Sequence, residues 1–234
     1  MKRSRTVFET RSSLLGRIRV IDHGAERRLM VSGETLSVYP LNGDWSRVRR
    51  EYWWRAVAAV DLPPTPTVLL LGLGGGTQVH VLEQVRRPRQ LTIIERDPTI
   101  LRIAQRWFGL PARGGIEFLC GDAEVIAPWL ARAQRRFDFI MEDVGYAEDV
   151  ARSLPLARVL ARLVSPRGVL VINRHRRGDA HRLADALRAL FAEVWLRRVR
   201  REAENVLVCC ARPRRSDASG SPSGLAGQRT RRRL

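Results

Sequence analysis

The stretch "VLLLGLGGGTQVHVLEQV", from Val68 to Val85, joins a buried-strand pattern to a helix pattern through a glycine-rich loop. Glycine lets the backbone adopt positive φ and lets another group approach it closely. When strands and helices alternate, such a turn lies at the edge of the sheet where ligands bind. A tight turn without a ligand would explain some of these glycines. We predict instead a ligand-binding crevice lined by four of them, Gly72, Gly74, Gly75 and Gly76.

From Thr67 onward, short apolar segments alternate with amphipathic helical segments. The predicted strands are "TVLLLGL", "QLTIIER", "IEFLCGD", "FDFIMED", "GVLVINR", "EVWLRRV" and "NVLVCCA". Strands that alternate with helices are typical of a mostly parallel sheet with both faces covered. The fold class is therefore predicted to be α/β, with a seven-stranded Rossmann-like sheet.

The region before this domain has a different pattern. "GRIRVIDHG" and "RRLMVSGETLSVYPL" read as short extended runs broken by glycine, which is typical of a small antiparallel β unit. The predicted organisation is a flexible N-terminus at 1–11, a small β unit at 12–44, a Rossmann-like domain at 45–212 and a disordered tail at 213–234.

Acidic residues end the next three predicted strands. Glu95 ends the second strand, where a carboxylate can accept hydrogen bonds from both hydroxyls of a ribose. Asp122 ends the third strand and can reach an adenine amino group, while the backbone amide of Ala123 can meet a ring nitrogen. A helix cap is the alternative role for Asp122. Asp143 ends the fourth strand. We predict that these residues bind a nucleoside, together with the glycine loop.

The formal net charge is +18, and Lys2 is the only lysine among 42 basic residues. This charge favours contact with polyanions. The tail "PRRSDASGSPSGLAGQRTRRRL" has six arginines and little apolar content, so it is predicted to be disordered, with nonspecific nucleic-acid contact as one role. The three cysteines form neither a disulfide framework nor a metal-ligand spacing, and no apolar run is long enough to span a membrane. A cytoplasmic protein without a metal is expected.

The glycine loop and the acids at the strand ends resemble the nucleoside-binding set of class I S-adenosylmethionine (SAM)-dependent methyltransferases, over about residues 67–211. The small β unit, the GGG loop and the "IMED" strand end are similar to the spermidine synthase group, the polyamine aminopropyltransferases. The resemblance implies a seventh strand antiparallel between the fifth and sixth. It also implies SAM or decarboxylated SAM as the donor, and a homodimer is plausible because the group is often dimeric.

The resemblance also assigns roles on the acceptor side. Asp143 matches the aspartate that helps to deprotonate the attacking amine, which is work that a carboxylate can do. Thr77 stands where the group's loop carries an aspartate for the donor's aminopropyl group. Glu51 matches the last residue of an upstream Tyr-His-Glu motif, and Tyr146 follows Asp143 in the segment "DVGYAED". We predict that Glu51, Thr77 and Tyr146 contact the substrate.

Three functions follow from these patterns. The first is a spermidine synthase-like transferase that moves a methyl or aminopropyl group to a small amine or another small-molecule acceptor. The second is a SAM-dependent methyltransferase acting on RNA or another polyanion, which the +18 charge and the arginines near the crevice favour. The third is a non-catalytic nucleoside-binding homologue, since part of the acidic acceptor-site motif is absent. We predict the first, and the other two are its alternatives.

Overall fold

The computed structural model describes residues 4–110, 115–144, 149–174, 177–199 and 205–214. Its strands are β1 (Ser4–Ser12), β2 (Gly16–His23), β3 (Glu26–Val31), β4 (Glu34–Pro40), β5 (Thr67–Leu71), β6 (Gln90–Glu95), β7 (Ile116–Cys120), β8 (Phe137–Glu142), β9 (Val164–Arg174), β10 (Phe191–Arg198) and β11 (Val206–Pro213). Its α-helices are α1 (Tyr52–Ala58), α2 (Thr77–Val85), α3 (Pro98–Trp107), α4 (Ala123–Arg132), α5 (Val150–Leu163) and α6 (Arg177–Leu187).

The larger sheet has the order β10-β11-β9-β8-β5-β6-β7. The strands from β9 through β7 in this order pair in parallel, whereas β11 is antiparallel to both β9 and β10. The predicted seven strands, their α/β class and the antiparallel position of the last strand are all confirmed. In this order the chain reverses direction across the sheet at β5, so the crevice opens where β5 and β8 end side by side.

The central strand β5 is buried along its whole length because both faces of the sheet are covered. Val68 and Leu70 pack on one side with α1, α2 and the small sheet. Leu69 and Leu71 pack on the other side with α4, α5 and α6. Successive side chains of a strand point to opposite faces, so an uninterrupted apolar run can serve two layers of core at once.

The small unit is a four-stranded antiparallel sheet in the order β1-β2-β3-β4. Its first strand begins at Ser4, and residues 4–12 pair with β2 from His23 back to Gly16. This corrects the expectation that residues 1–11 are flexible. The ladder hydrogen bonds of β1 explain its order, since the strand has no fully buried side chain. Ser12 also donates a hydrogen bond to Asp97, which ties the small sheet to the larger domain.

The last strand extends slightly further than predicted. Pro213 ends β11 opposite Phe191, and the backbone amide of Arg214 donates to the Leu190 carbonyl at 2.8 Å. The tail predicted from residue 213 therefore starts after these contacts, and residues 215–234 lie outside the described residues. Within the described ranges, no helix combines the length and apolar character that crossing a bilayer requires.

Candidate nucleoside and acceptor site

A cavity of about 1000 Å³ opens at the carboxyl ends of β5, β6, β7 and β8. The strand ends form its floor, α1 contributes Tyr52 and Trp53, and the hairpin turns of the small sheet contribute residues such as Leu14 and Ser32. Its volume is at the upper end of the range of small-molecule sites, about 300–1,000 Å³. The small sheet therefore forms part of the binding site.

The glycine loop lies between the cavity on one side and packed protein on the other. Gly72 and Gly74 line the cavity, and both have positive φ, +89° and +53°. Gly75 and Gly76 pack against the protein instead. A Cβ on Gly75 would lie 2.9 Å from both Ser37 and Phe108, and one on Gly76 would lie 2.9 Å from the Leu110 side chain. Packing thus accounts for Gly75 and Gly76, and in part for Gly74, because a Cβ on Gly74 would lie 2.6 Å from the Ser37 Oγ. Gly72 and Gly74 are the two glycines of the loop that line the cavity.

Thr77 faces the small sheet. It is 2% exposed, and its hydroxyl donates to the Val38 carbonyl at 2.9 Å and accepts from the Val38 amide at 3.0 Å. Ser37 makes a parallel contact, since its Oγ accepts from the Gly75 amide at 2.7 Å. These contacts correct the expectation that Thr77 reaches the substrate, because its hydroxyl is already satisfied away from the cavity.

Glu95 lines the cavity and also holds the loop. Its Oε2 accepts from the Leu73 amide at 3.0 Å and its Oε1 from the Asp97 amide at 2.8 Å. Burial raises the pKa of this carboxyl, and hydrogen bonds from the backbone amides of Asp97, Leu73 and Arg96 oppose that shift. A carboxylate offers about four acceptor positions. These backbone amides therefore leave acceptor capacity for the hydroxyls of a ribose.

Asp122 and Ala123 lie at the end of β7, where α4 begins, and both line the cavity. Asp122 caps α4, since its Oδ1 accepts from the Glu124 amide at 2.8 Å. The cap was the alternative role considered for this residue, and it is compatible with ligand contact because the side chain is exposed. The adenine contact predicted for Asp122 and Ala123 stays a prediction.

Asp143 is held by side chains from two other elements. The Tyr52 hydroxyl of α1 donates to Oδ2 at 2.7 Å, and the Asn173 amide at the end of β9 donates to Oδ1 at 2.8 Å. The Asn205 side-chain amide donates in turn to the side-chain Oδ1 of Asn173 at 3.2 Å. The carboxylate is therefore fixed in orientation at the cavity wall.

Burial raises the pKa of Asp143 to about 6, with hydrogen bonds from Asn173 and Tyr52 opposing the shift. The charge of Glu142 raises this pKa further and that of Arg174 lowers it. These two residues form a buried ion pair at 2.8 Å, and Arg174 is 1% exposed. A carboxyl group whose pKa lies near neutrality is suited to accept a proton, which is the role predicted for Asp143.

The other two residues predicted to contact the acceptor are Glu51 and Tyr146. Glu51 occupies the N-cap position of α1, one residue before Tyr52, and the described cavity wall contains Tyr52 rather than Glu51. The neighbouring Arg49 stacks on Trp54 at 5.0 Å from the ring centroid and is exposed. Tyr146 lies outside the described residues. The substrate contacts of Glu51 and Tyr146 stay predictions.

The described wall of the cavity is acidic although the chain is strongly basic. Seven of its side chains are carboxylates, and two are arginines, Arg96 and Arg152. One of the seven, Glu142, is neutralised by Arg174. The acids are Glu34, Glu95, Asp97, Asp122, Glu124, Glu142 and Asp143. The sequence analysis expected arginines near the crevice. Within the described residues, the wall instead has more carboxylates than arginines.

Tyr52, Asn173 and Gln78 are among the polar residues of the wall that sequence reasoning missed. A signal existed for Asn173, because it ends a parallel strand at the same edge as Glu95 and Asp143. Tyr52 stands in the aromatic run Tyr52-Trp53-Trp54, and only its contact with Asp143 marks it as a residue of the site. Gln78 follows Thr77 on α2, and the rotation of that helix decides which of them faces the cavity.

Comparison with known proteins gives relatives of two kinds, although no family model matches the chain. It is 31% identical over 156 residues to the eEF1A lysine and N-terminal methyltransferase of Danio rerio, a match that covers 62% of this chain and 23% of that protein. It is 26% identical over 167 residues to the polyamine aminopropyltransferase of Vibrio vulnificus, covering 69% of this chain and 56% of the relative. The chain thus spans about a quarter and about half of these two proteins.

The fold has counterparts among solved structures. Spermidine synthase in complex with the transition state analogue AdoDATO superposes with a TM-score of 0.66 at 12% identity, over 89% of this chain and 72% of that one. At this identity the likeness concerns the fold alone.

The chain is thus similar in sequence to a methyltransferase and to an aminopropyltransferase, and it shares the fold of spermidine synthase. Its homologues are SAM-fold transferases, a methyltransferase and an aminopropyltransferase. The predicted resemblance to the spermidine synthase-like group is confirmed.

Proposed function

We propose that this protein transfers an alkyl group, methyl or aminopropyl, from a SAM-type sulfonium nucleoside to an aliphatic amine. The observation that carries the proposal is the setting of Asp143. Its carboxylate lies in the cavity, is fixed by Tyr52 and Asn173, and has a pKa raised to about 6. The relatives support the same chemistry, since both are named as alkyl transferases.

The cavity fits the nucleoside part of such a donor. Gly72 and Gly74 bring bare backbone to its wall, Glu95 retains free acceptor positions, and Asp122 and Ala123 present a carboxylate and a helix N-terminus nearby. The donor itself supplies an alkyl carbon activated by a positively charged sulfur. The residues of the chain hold it at the carboxyl edge of the sheet.

Asp143 acts on the acceptor. Each of its oxygens accepts one hydrogen bond from the protein, so each keeps capacity to accept another from the amine. This contact turns the nitrogen lone pair toward the donor. As the nitrogen–carbon bond forms, the carbon–sulfur electron pair stays on sulfur, and Asp143 takes the proton that nitrogen loses. With a pKa of about 6, roughly nine in ten copies of Asp143 are ionised at pH 7 and ready to accept it.

The charge of the cavity favours an amine as the acceptor. An ammonium ion approaching the described wall meets an excess of carboxylates, which stabilise it and raise its local concentration. The names of both relatives point to amines as well, a lysine or protein N-terminus in one and a polyamine in the other. A polyanionic acceptor such as RNA would be repelled by the same wall.

Binding and transfer can be tested separately. We expect methylthioadenosine and S-adenosylhomocysteine to bind in calorimetric titration. Glu95→Ala should weaken both about tenfold to hundredfold, since hydrogen bonds to a charged group contribute about 1.5–3 kcal/mol. The matched control is Glu193→Ala, an exposed acid on β10. Unchanged affinity in a folded Glu95→Ala protein would remove Glu95 from the site.

Transfer is measured with SAM and decarboxylated SAM against three acceptors: putrescine, a lysine peptide and a structured RNA. Product on either amine that disappears in Asp143→Asn is the expected result. Product on RNA alone would show that the acceptor is a polyanion and not an amine. Binding of the nucleosides without any transfer would favour the non-catalytic homologue.

A further inference from the structure

Gln78 is a buried side chain whose amide has no partner in the protein. It lines the cavity from the first turn of α2, it is 8% exposed, and neither Oε1 nor Nε2 makes a hydrogen bond. Burying an unsatisfied polar group destabilises a folded protein. A side chain kept in this state at the wall of a binding cavity indicates that a ligand supplies the missing partners.

The other amide side chains of the described wall are already engaged. Asn173 donates to Asp143, and Asn205 donates to Asn173. Gln78 is thus the amide of that wall whose donor and acceptor both remain available. It lies in the first turn of α2, which packs against α1, and Tyr52 and Trp53 of α1 line the same cavity.

In this acidic wall a neutral amide suits one form of the donor. SAM ends in an amino acid, with an ammonium that donates hydrogen bonds and a carboxylate that accepts them. Carboxylates such as Asp143 attract the ammonium but repel the carboxylate. The arginines of the described wall, Arg96 and Arg152, are exposed. A neutral amide can donate to the carboxylate and accept from the ammonium.

We propose that Gln78 recognises the amino-acid end of the donor, with Nε2 donating to its carboxylate and Oε1 accepting from its ammonium, and thereby favours SAM over decarboxylated SAM. This inference rests on the proposed function. It makes methyl transfer the reaction that the site selects, since aminopropyl transfer requires the decarboxylated donor.

The test compares ligands that differ at that end only. Calorimetric titration of wild type, Gln78→Leu and Gln78→Glu uses S-adenosylhomocysteine, which has the amino-acid end, and methylthioadenosine, which lacks it. We expect Gln78→Leu to weaken S-adenosylhomocysteine about tenfold to hundredfold and to leave methylthioadenosine unchanged. Gln78→Glu should weaken S-adenosylhomocysteine further and should strengthen decarboxylated SAM, which presents an ammonium alone.

Gln105→Leu is the matched control, an exposed glutamine on α3. The melting temperature separates recognition from a structural role. Leucine removes an unsatisfied amide, so Gln78→Leu should melt at or above the wild-type temperature without ligand. Equal weakening of both nucleosides, with a lowered melting temperature, would overturn the inference, and so would unchanged binding of both. If wild type binds neither nucleoside, the proposed function fails instead.

Discussion

At the scale of single residues, the cavity shows how one side chain can serve the fold and the ligand together. Glu95 accepts two backbone amides that shape the glycine loop, and Asp122 caps α4. Both still face the cavity. A structural role for a strand-end acid therefore does not compete with a binding role. The carboxylate has enough acceptor positions for both.

Asp143 illustrates the opposite case, because its ionisation is unfavourable for the fold. Its pKa is about 6 in the folded protein and about 3.8 in an unfolded chain. Between these values the folded state keeps a proton that the unfolded state has lost, so this residue's contribution to stability falls as pH rises from about 4 to 6. Asparagine at this position does not ionise.

We therefore expect Asp143→Asn to gain stability relative to wild type as pH rises from 4 to 7, by up to about 3 kcal/mol. Urea denaturation at several pH values measures the difference. Asp138→Asn is a control of opposite sign: although burial raises the pKa of Asp138, hydrogen bonds from Thr67 and Ser165 lower it overall. That variant should lose stability relative to wild type as pH rises through the acid range. The same pH trend in both variants would contradict the prediction.

At the scale of elements, the junction between β4 and the glycine loop positions the site. Ser37 accepts from the Gly75 amide, and Thr77 bonds the Val38 backbone in both directions. The small sheet is thereby joined to the turn that opens the crevice. The tripeptide Gly74-Gly75-Gly76 is explained in large part by this close approach, because side chains there would meet Ser37, Phe108 or Leu110.

Ser37→Ala tests this junction. The Gly75 amide would be left buried without an acceptor, which costs about 1–3 kcal/mol. For a chain of this size we expect the melting temperature to fall by about 2–4 °C per kcal/mol. Ser46→Ala is the matched control, because Ser46 makes an exposed hydrogen bond to Asp44. Equal melting temperatures for the two variants would show that β4 does not stabilise the loop.

At the scale of the whole molecule, charge is divided between surface and cavity. The chain carries a net charge of +18, whereas the described cavity wall is acidic. The surface can therefore attract polyanions while the site attracts cations, and nonspecific nucleic-acid binding would not identify the acceptor.

The C-terminal tail contributes to the positive charge outside the cavity. Residues 215–234 include five arginines and one aspartate. We expect deletion of these residues to leave the melting temperature unchanged, since their sequence has little apolar content to pack. Binding to single-stranded RNA should weaken and depend less steeply on salt, by a slope of at most about 3.5 if all five arginines contact phosphates.

Replacing the five tail arginines with glutamine is the companion variant, because it removes the charge and keeps the length. It should reproduce the effect of the deletion on RNA binding. A large fall in melting temperature on deletion would show that the tail docks on the domain.

The sequence by itself determined the sheet and its crevice. Apolar runs such as Val68–Leu71 predict a strand that is buried on both faces of a sheet. Acids or glycines at the ends of successive parallel strands lie together at one edge of that sheet. These are local and periodic signals. Gly72, Glu95, Asp122 and Asp143 were predicted from them and line the cavity.

Tertiary structure decided the partners of those residues. Tyr52 and Asn173 are distant from Asp143 along the chain. The position of α1 at the cavity and the pairing of β9 with β8 bring them together. On α2, consecutive side chains point about 100° apart, so helix rotation alone sent Thr77 to the small sheet and Gln78 to the cavity. Periodicity predicts that a helix has a buried face. Which neighbour that face meets is settled by contacts that are long-range in sequence.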